Sequence, residues 1–107
     1  MTKKKIDLKI DTSSNERTVV ALNIDGKRFE KVEEKKIVTS QILLPLIEAL
    51  LKENKKSIQD VTSIKVAEGP GSYTGLRVGV AVANTLGWLL GIPVNGKKNT
   101  IVEPKYA

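Results

Sequence analysis

Between Glu68 and Arg77 the chain reads EGPGSYTGLR, and no other stretch narrows the possible folds so far. Gly69, Pro70 and Gly71 fall between a short strand-like run, Ser63–Ala67, and a long, largely apolar segment, Tyr73–Leu90, which has Gly75 near its start. Glycine reaches backbone angles closed to other residues and proline fixes φ, so the pair turns a chain sharply out of a sheet. Ser72 then stands where a hydroxyl accepts one of the first free N–H groups of a helix. The local reading is strand, tight turn, helix.

The helix carries a second signal. Gly75, Gly79, Ala83, Gly87 and Gly91 recur at every fourth position. Each glycine costs about 1 kcal/mol of helix propensity relative to alanine, so a row of them needs a compensating contact. Close approach of another element supplies one, and the i±4 row is the ridge of the commonest helix-packing class, with axes crossing at about −50°. The approaching element is either this chain's own sheet or first helix, or a helix of a partner.

In chain order, Ile6, Leu8 and Ile10 alternate with Asp7, Lys9 and Asp11, the period of a half-buried strand. TSSNER, residues 12–17, is a polar turn, and Thr18–Ile24 is a second, β-branched strand. Asp25-Gly26 is a two-residue hairpin signal leading into Lys27–Glu34, whose charge suits a sheet edge. Thr39–Asn54 has the spacing of an amphipathic helix, with Thr39 or Ser40 as cap and Leu43, Leu46, Ile47, Leu50 and Leu51 on one face. Pro45 removes an N–H there, so the first turn is expected to be irregular or kinked. Ser57–Thr62 reads as a linker, Ser63–Ala67 as the fourth strand, and Gly91 with Pro93 as the stop of the second helix. Val94–Gly96 is expected as a short fifth strand. Residues 97–107 are polar and are expected to be loosely held, leaving 1–96 as the folded domain. The order βββαβαβ describes an α/β domain: a mixed five-stranded sheet with a meander, two helical crossovers and both helices on one face.

With 107 residues the chain has the size of one domain, and 40% hydrophobic with 28% charged residues is a globular composition. There is no cysteine and no histidine. Disulfides are excluded, and the usual thiolate and imidazole metal ligands are absent, so no metal or cofactor is expected. No signal peptide is read at the start, and Arg77, Asn84 and Thr85 argue against a membrane span in the apolar stretch; the expected location is cytoplasmic. The net charge of +6 is spread over lysines at probable element ends, without a basic helix face or interleaved aromatics. That pattern suits a solvated surface, with at most a weak attraction for tRNA.

The run GPGSYTGLRVGVAVANTLGWLLGIPV closely resembles the turn-and-helix signature of the TsaB (YeaZ) family of tRNA threonylcarbamoyladenosine (t6A) synthesis. IDTSS at Ile10–Ser14 and TSQILLPLIEALLKE at Thr39–Glu53 agree with it in order and spacing. The resemblance implies the ribonuclease-H-like, actin/hexokinase-type fold. It also implies the first of the two domains such proteins usually have, and a noncatalytic scaffold that pairs its two helices with a TsaD-like partner or with a second copy of itself. Residues expected on that interface are Leu43, Leu46, Ile47 and Leu50 on the first helix. On the second they are Gly75, Gly79, Val82 and Ala83, with Tyr73 and Arg77 as rim contacts.

Three chemical alternatives weigh against this binding role. Asp11, Thr12 and Ser13 sit where active members of the wider fold hold nucleotide phosphates, which would make the chain half of a phosphotransferase or ATPase-type site; yet the turn has no glycine for close approach to a phosphate. TsaD carries a metal-binding HxxxH on the matching first helix, but Thr39 and Leu43 stand in its place here. Ser72 has no histidine to activate it as a nucleophile. A stand-alone engineered domain without native function is a further alternative. Finally, Lys9 and Lys65 occupy central strands on the face opposite the apolar one. They are expected to be solvent-exposed, with Asp7 or Asp11 across from Lys65, giving a one-sided sheet suited to life as one half of the usual pair of domains.

Overall fold

A computed structural model of the chain describes residues 5–34, 39–98 and 101–105. The elements are β1 (Ile6–Asp11), β2 (Thr18–Ile24), β3 (Lys27–Glu33), α1 (Ser40–Glu53), β4 (Ser63–Val66) and α2 (Tyr73–Leu90), with a 3₁₀ turn at Ile58–Asp60. The four strands lie in the order β3-β2-β1-β4. β1, β2 and β3 form an antiparallel meander, and β4 joins β1 in parallel. Asp25 and Gly26 take φ of +52° and +80°, so both central residues of the β2–β3 turn are left-handed, the twist that matches flanking strands.

Alternation along the strands sends Ile6, Leu8, Ile10, Val20, Leu22, Ile64 and Val66 to one face, where they are buried. Leu43, Ile47, Leu50 and Leu51 of α1 and Leu76, Val80 and Ala83 of α2 close the core over them. Burying each such aliphatic side chain contributes about 1.5–3 kcal/mol, so this face carries most of the stability. The first turn of α1 is tightened, as Pro45 suggests. Thr39 O accepts from both Ile42 N (3.0 Å) and Leu43 N (2.9 Å), while the Thr39 hydroxyl makes no cap bond.

The opposite face bears Asp7, Lys9, Asp11 and Lys65, and both lysines are exposed. The expected acid–lysine pairing is corrected by the register. Leu8 stands beside Ile64 and Ile10 beside Val66, which puts Lys9 beside Lys65 and Asp7 beside Ser63. Ser63 Oγ donates to Asp7 Oδ1 at 2.7 Å. Period-2 alternation fixes the face of each side chain but not its neighbour along that face.

The fifth strand is also corrected. Val94 makes a single parallel bridge to Ile64, and the chain then reverses, because Asn95 and Gly96 take φ of +51° and +77°. Asn-Gly is a hairpin-turn dipeptide, and here it ends the strand after one residue. The Asn95 side chain substitutes for the missing residues: its Oδ1 accepts from Val66 N (2.8 Å) and its Nδ2 donates to Val66 O (3.0 Å). The described part of the tail is seated rather than loose. Val102 is 5% exposed, and its backbone N and O both bond the Asn84 amide.

Candidate functional site

The turn between β4 and α2 is built against the end of β1. Gly71 lies over Ser13, where an added Cβ would sit 2.5 Å from the Ser13 carbonyl oxygen, and Ser72 N donates to that oxygen at 2.8 Å. Ser72 Oγ in turn accepts from Gly75 N at 3.3 Å, capping α2. One turn further on, Gly75 rests on the Thr12 carbonyl and Gly79 on the Thr12 side chain, each inside contact distance for a Cβ. Thr12 is fully buried, and its hydroxyl donates to Gly75 O at 2.5 Å. Gly87 makes the same kind of close approach to Val94. The approaching element is thus this chain's own β1 end and post-helix segment, and three of the row's glycines are accounted for within the domain.

This lock decides what Asp11, Thr12 and Ser13 offer chemically. Asp11 Oδ1 accepts from Ser13 N (3.0 Å) and Ser13 Oγ (2.5 Å), the Thr12 hydroxyl is committed to α2, and the Ser13 carbonyl to Ser72. All three residues are turned onto their own backbone, as short polar residues in turns commonly are. Nothing in this arrangement aims donors at a phosphate. Among the described residues no group of three or more His, Cys, Asp or Glu stands where a metal ion is held, and no buried side-chain polar atom lacks a partner.

The helices divide the residues expected at an interface into two sets. Leu43, Ile47, Leu50, Gly75, Gly79, Val82 and Ala83 are buried in the domain, and Leu46 packs against the core half-buried. These residues are engaged mainly within the domain, and only Leu46, Ile47 and Val82 among them reach its surface or a groove. Tyr73 is 57% exposed and Arg77 is exposed, with the Arg77 guanidinium 5.6 Å from the Tyr73 ring centroid.

These two begin a row that the sequence reading missed. Tyr73, Arg77, Ala81, Thr85 and Leu89 recur every fourth residue on the side of α2 opposite the glycine row, and all are exposed. Trp88 flanks the row at 81% exposure. A groove of about 390 Å³ runs along its start, lined by Ser40 of α1 and by Tyr73, Arg77, Val78, Ala81 and Val82. A second groove, about 430 Å³, lies between α1 and α2 against Leu44, Ile47, Leu51, Ile58 and Leu86. Leu44 is 45% exposed there. The available signal was angular: at 100° per residue, positions two from each glycine face away from it. Leu44 was legible as the leucine left over once one face of α1 had been filled.

The described residues form an α/β domain with a mixed four-stranded sheet, both helices on its apolar face and an exposed row along the outside of α2. Residues 36–99 match the family described as "TsaD: tRNA N6-adenosine threonylcarbamoyltransferase". The chain is 40% identical over 88 residues to the tRNA threonylcarbamoyladenosine biosynthesis protein TsaB of Bacillus subtilis, which covers 82% of this chain and 38% of that protein. It is 43% identical over 53 residues to the tRNA N6-adenosine threonylcarbamoyltransferase of Vesicomyosocius okutanii, covering 50% of this chain and 16% of that one. Among solved structures, YeaZ from Pseudomonas aeruginosa superposes with a TM-score of 0.79 at 33% identity, over 84% of this chain and 42% of that chain. The chain therefore belongs to the TsaD family of domains, on its TsaB (YeaZ) branch. It spans about two fifths of the length of the TsaB and YeaZ proteins described.

Proposed function

We propose that the chain is a noncatalytic scaffold for t6A synthesis in the cytoplasm. In this reading it presents the outer surface of α1 and α2 to a TsaD-like partner. The observation that carries the reading is the exposed row from Tyr73 to Leu89, with Trp88 beside it at 81% exposure. A ridge that starts on Tyr73 and Arg77 and ends on Leu89 with Trp88 beside it has the composition of an interface core and rim. Small Ala81 at its middle lets a second helix approach to about 8–10 Å between axes. The B. subtilis relative is named a t6A biosynthesis protein, and the family's other branch is named for the transferase, which together supply the pathway and the class of partner. Among the described residues no helix is long and apolar enough to cross a membrane, which fits a scaffold acting in water. Contact with tRNA in this reading is weak and confined to the assembled complex, through the +6 net charge.

Mixing the chain with a purified TsaD-family protein and following sedimentation velocity tests the reading. A heterodimer peak supports it. Self-association alone assigns the ridge to a second copy of the chain, and two unperturbed monomer peaks refute it. Titration with ATP–Mg²⁺ addresses the nucleotide alternative: binding heat from the chain alone would favour it over a scaffold, because the Asp11–Ser13 turn would then have to open.

A further inference from the structure

We infer that residues 101–105 form a strap that locks the β4–α2 turn and thereby sets the N-terminal end of the α2 ridge. This rests on the scaffold reading only for its regulatory consequence; the lock itself stands on geometry within the chain. The strap has two anchors. Asn84 on α2 donates from Nδ2 to Val102 O (2.8 Å), and its Oδ1 accepts from Val102 N (3.0 Å). An amide that satisfies both backbone groups of one residue imitates a neighbouring β-strand and requires that residue to be extended. Val102 then sinks into the core at 5% exposure.

The second anchor is at the turn. Lys105 N donates to Glu68 O at 2.6 Å, and Lys105 Nζ lies 3.9 Å from Glu68 Oε1. At this same anchor the Lys105 carbonyl presses on Gly69, where an added Cβ would overlap it and fall 3.0 Å from Leu76 Cδ1. The φ of Gly69 is +118°. Glycine is thus required there twice, once for its backbone angle and once for the strap. The other Glu68 oxygen, Oε2, accepts from Asn95 Nδ2 at 2.6 Å, and Asn95 holds the end of β4. One hydrogen-bonded chain therefore links β4, the turn and the strap, while Ser13 holds the turn from its other side.

The turn is clamped between the strap and Ser13, and the α2 ridge begins directly after it at Tyr73. Drawing the strap away leaves the turn held by Ser13 and by the Asn95 side chain on Glu68. The first turn of α2 then opens locally, and Tyr73 and Arg77 lose their fixed position while the sheet and α1 are unaffected. Any binding event that captures residues 101–105 loosens the partner-facing ridge.

The chain has no cysteine, so Val102→Cys places a single thiol reporter at the strap. On the full chain that thiol is expected to react slowly under native conditions, and at least about tenfold faster when Asn84→Ala is added. In Asn84→Ala alone, amide exchange of residues 69–76 is expected to quicken by about tenfold or more, with exchange in β1, β2 and α1 unchanged. Should Asn84→Ala fail to fold by circular dichroism, Val102→Ala gives the same exchange reading. Equal thiol protection with and without Asn84→Ala would overturn the anchor. A freed thiol with unchanged exchange at 69–76 would overturn the lock. Affinity of Asn84→Ala for the TsaD-family protein reads the regulatory half: a loss supports it, and an unchanged affinity beside a loosened turn refutes it. If the unmodified chain binds no such partner, the scaffold reading fails and the exchange result still decides the lock.

Discussion

Replacing Gly79 by alanine isolates the contact that explains the glycine row. Helix propensity alone favours the change by about 1 kcal/mol. Against this, the new methyl would land inside contact distance of Thr12 Oγ1, with Thr12 Cγ2 at 3.2 Å and Cβ at 3.3 Å. Thr12 has no room to withdraw, because it is fully buried and its hydroxyl is held by Gly75 O at 2.5 Å. Overpacking of this kind costs about 1–3 kcal/mol, so Gly79→Ala is expected to be neutral to about 2 kcal/mol destabilising. On a Thr12→Ala background the two closest atoms are gone, and the same substitution is expected to stabilise by about 1 kcal/mol. The double-mutant cycle therefore carries a coupling of about 1–3 kcal/mol and a change of sign. Urea unfolding followed by far-UV circular dichroism measures all four chains. Stabilisation by Gly79→Ala in both backgrounds, with coupling under about 0.3 kcal/mol, would show that Thr12 does not sit beneath Gly79 and would return the row to a partner.

Other outcomes follow from the same contacts. Leu43→Ala should cost about 2–5 kcal/mol in urea unfolding, since Leu43 is fully buried between α1 and the sheet. Ser72→Ala should fall toward the lower end of the range of about 0.5–2 kcal/mol, because its cap bond to Gly75 N is long at 3.3 Å; covalent capture of Ser72 by a serine-directed acyl reagent would contradict a purely capping role. Gly91→Ala should cost about 1–2 kcal/mol for backbone reasons alone, because φ is +65° and nothing lies within 4 Å of an added Cβ.

Much of the fold was legible because its signals were local and periodic. Tyr73–Leu90 is helical at both named ends, the Asp25-Gly26 turn closes where the dipeptide indicates, and β3 lies at the edge its charges suit. Lys9 and Lys65 are exposed because alternation determines the face. They lie side by side because register depends on how Leu8 and Ile10 meet Ile64 and Val66, each 56 positions further along the chain. Val94–Gly96 pairs through Val94 alone because Asn95-Gly96, a turn signal of the same kind as Asp25-Gly26, reverses the chain. The candidate site was harder. A glycine row states that something comes close without saying what, and only the position of Thr12 assigns it to β1. Leucines on an amphipathic helix report burial before they report binding, and the exposed row lies on the other side of α2. The seat of Val102 depends on an Asn84 contact with no sequence periodicity to announce it.

The outer row of α2 is the surface on which the scaffold reading depends, and Ala81 lies at its centre without supporting the core. Ala81→Arg adds bulk and charge there. It is expected to leave unfolding within about 0.5 kcal/mol of the unmodified chain, as surface changes do. Its effect on isothermal titration against a TsaD-family protein is the most direct measurement. Loss of a central interface contact is worth about 2 kcal/mol or more, so the account predicts at least about a thirtyfold weaker Kd for Ala81→Arg than for the unmodified chain. An unchanged Kd for Ala81→Arg would contradict it.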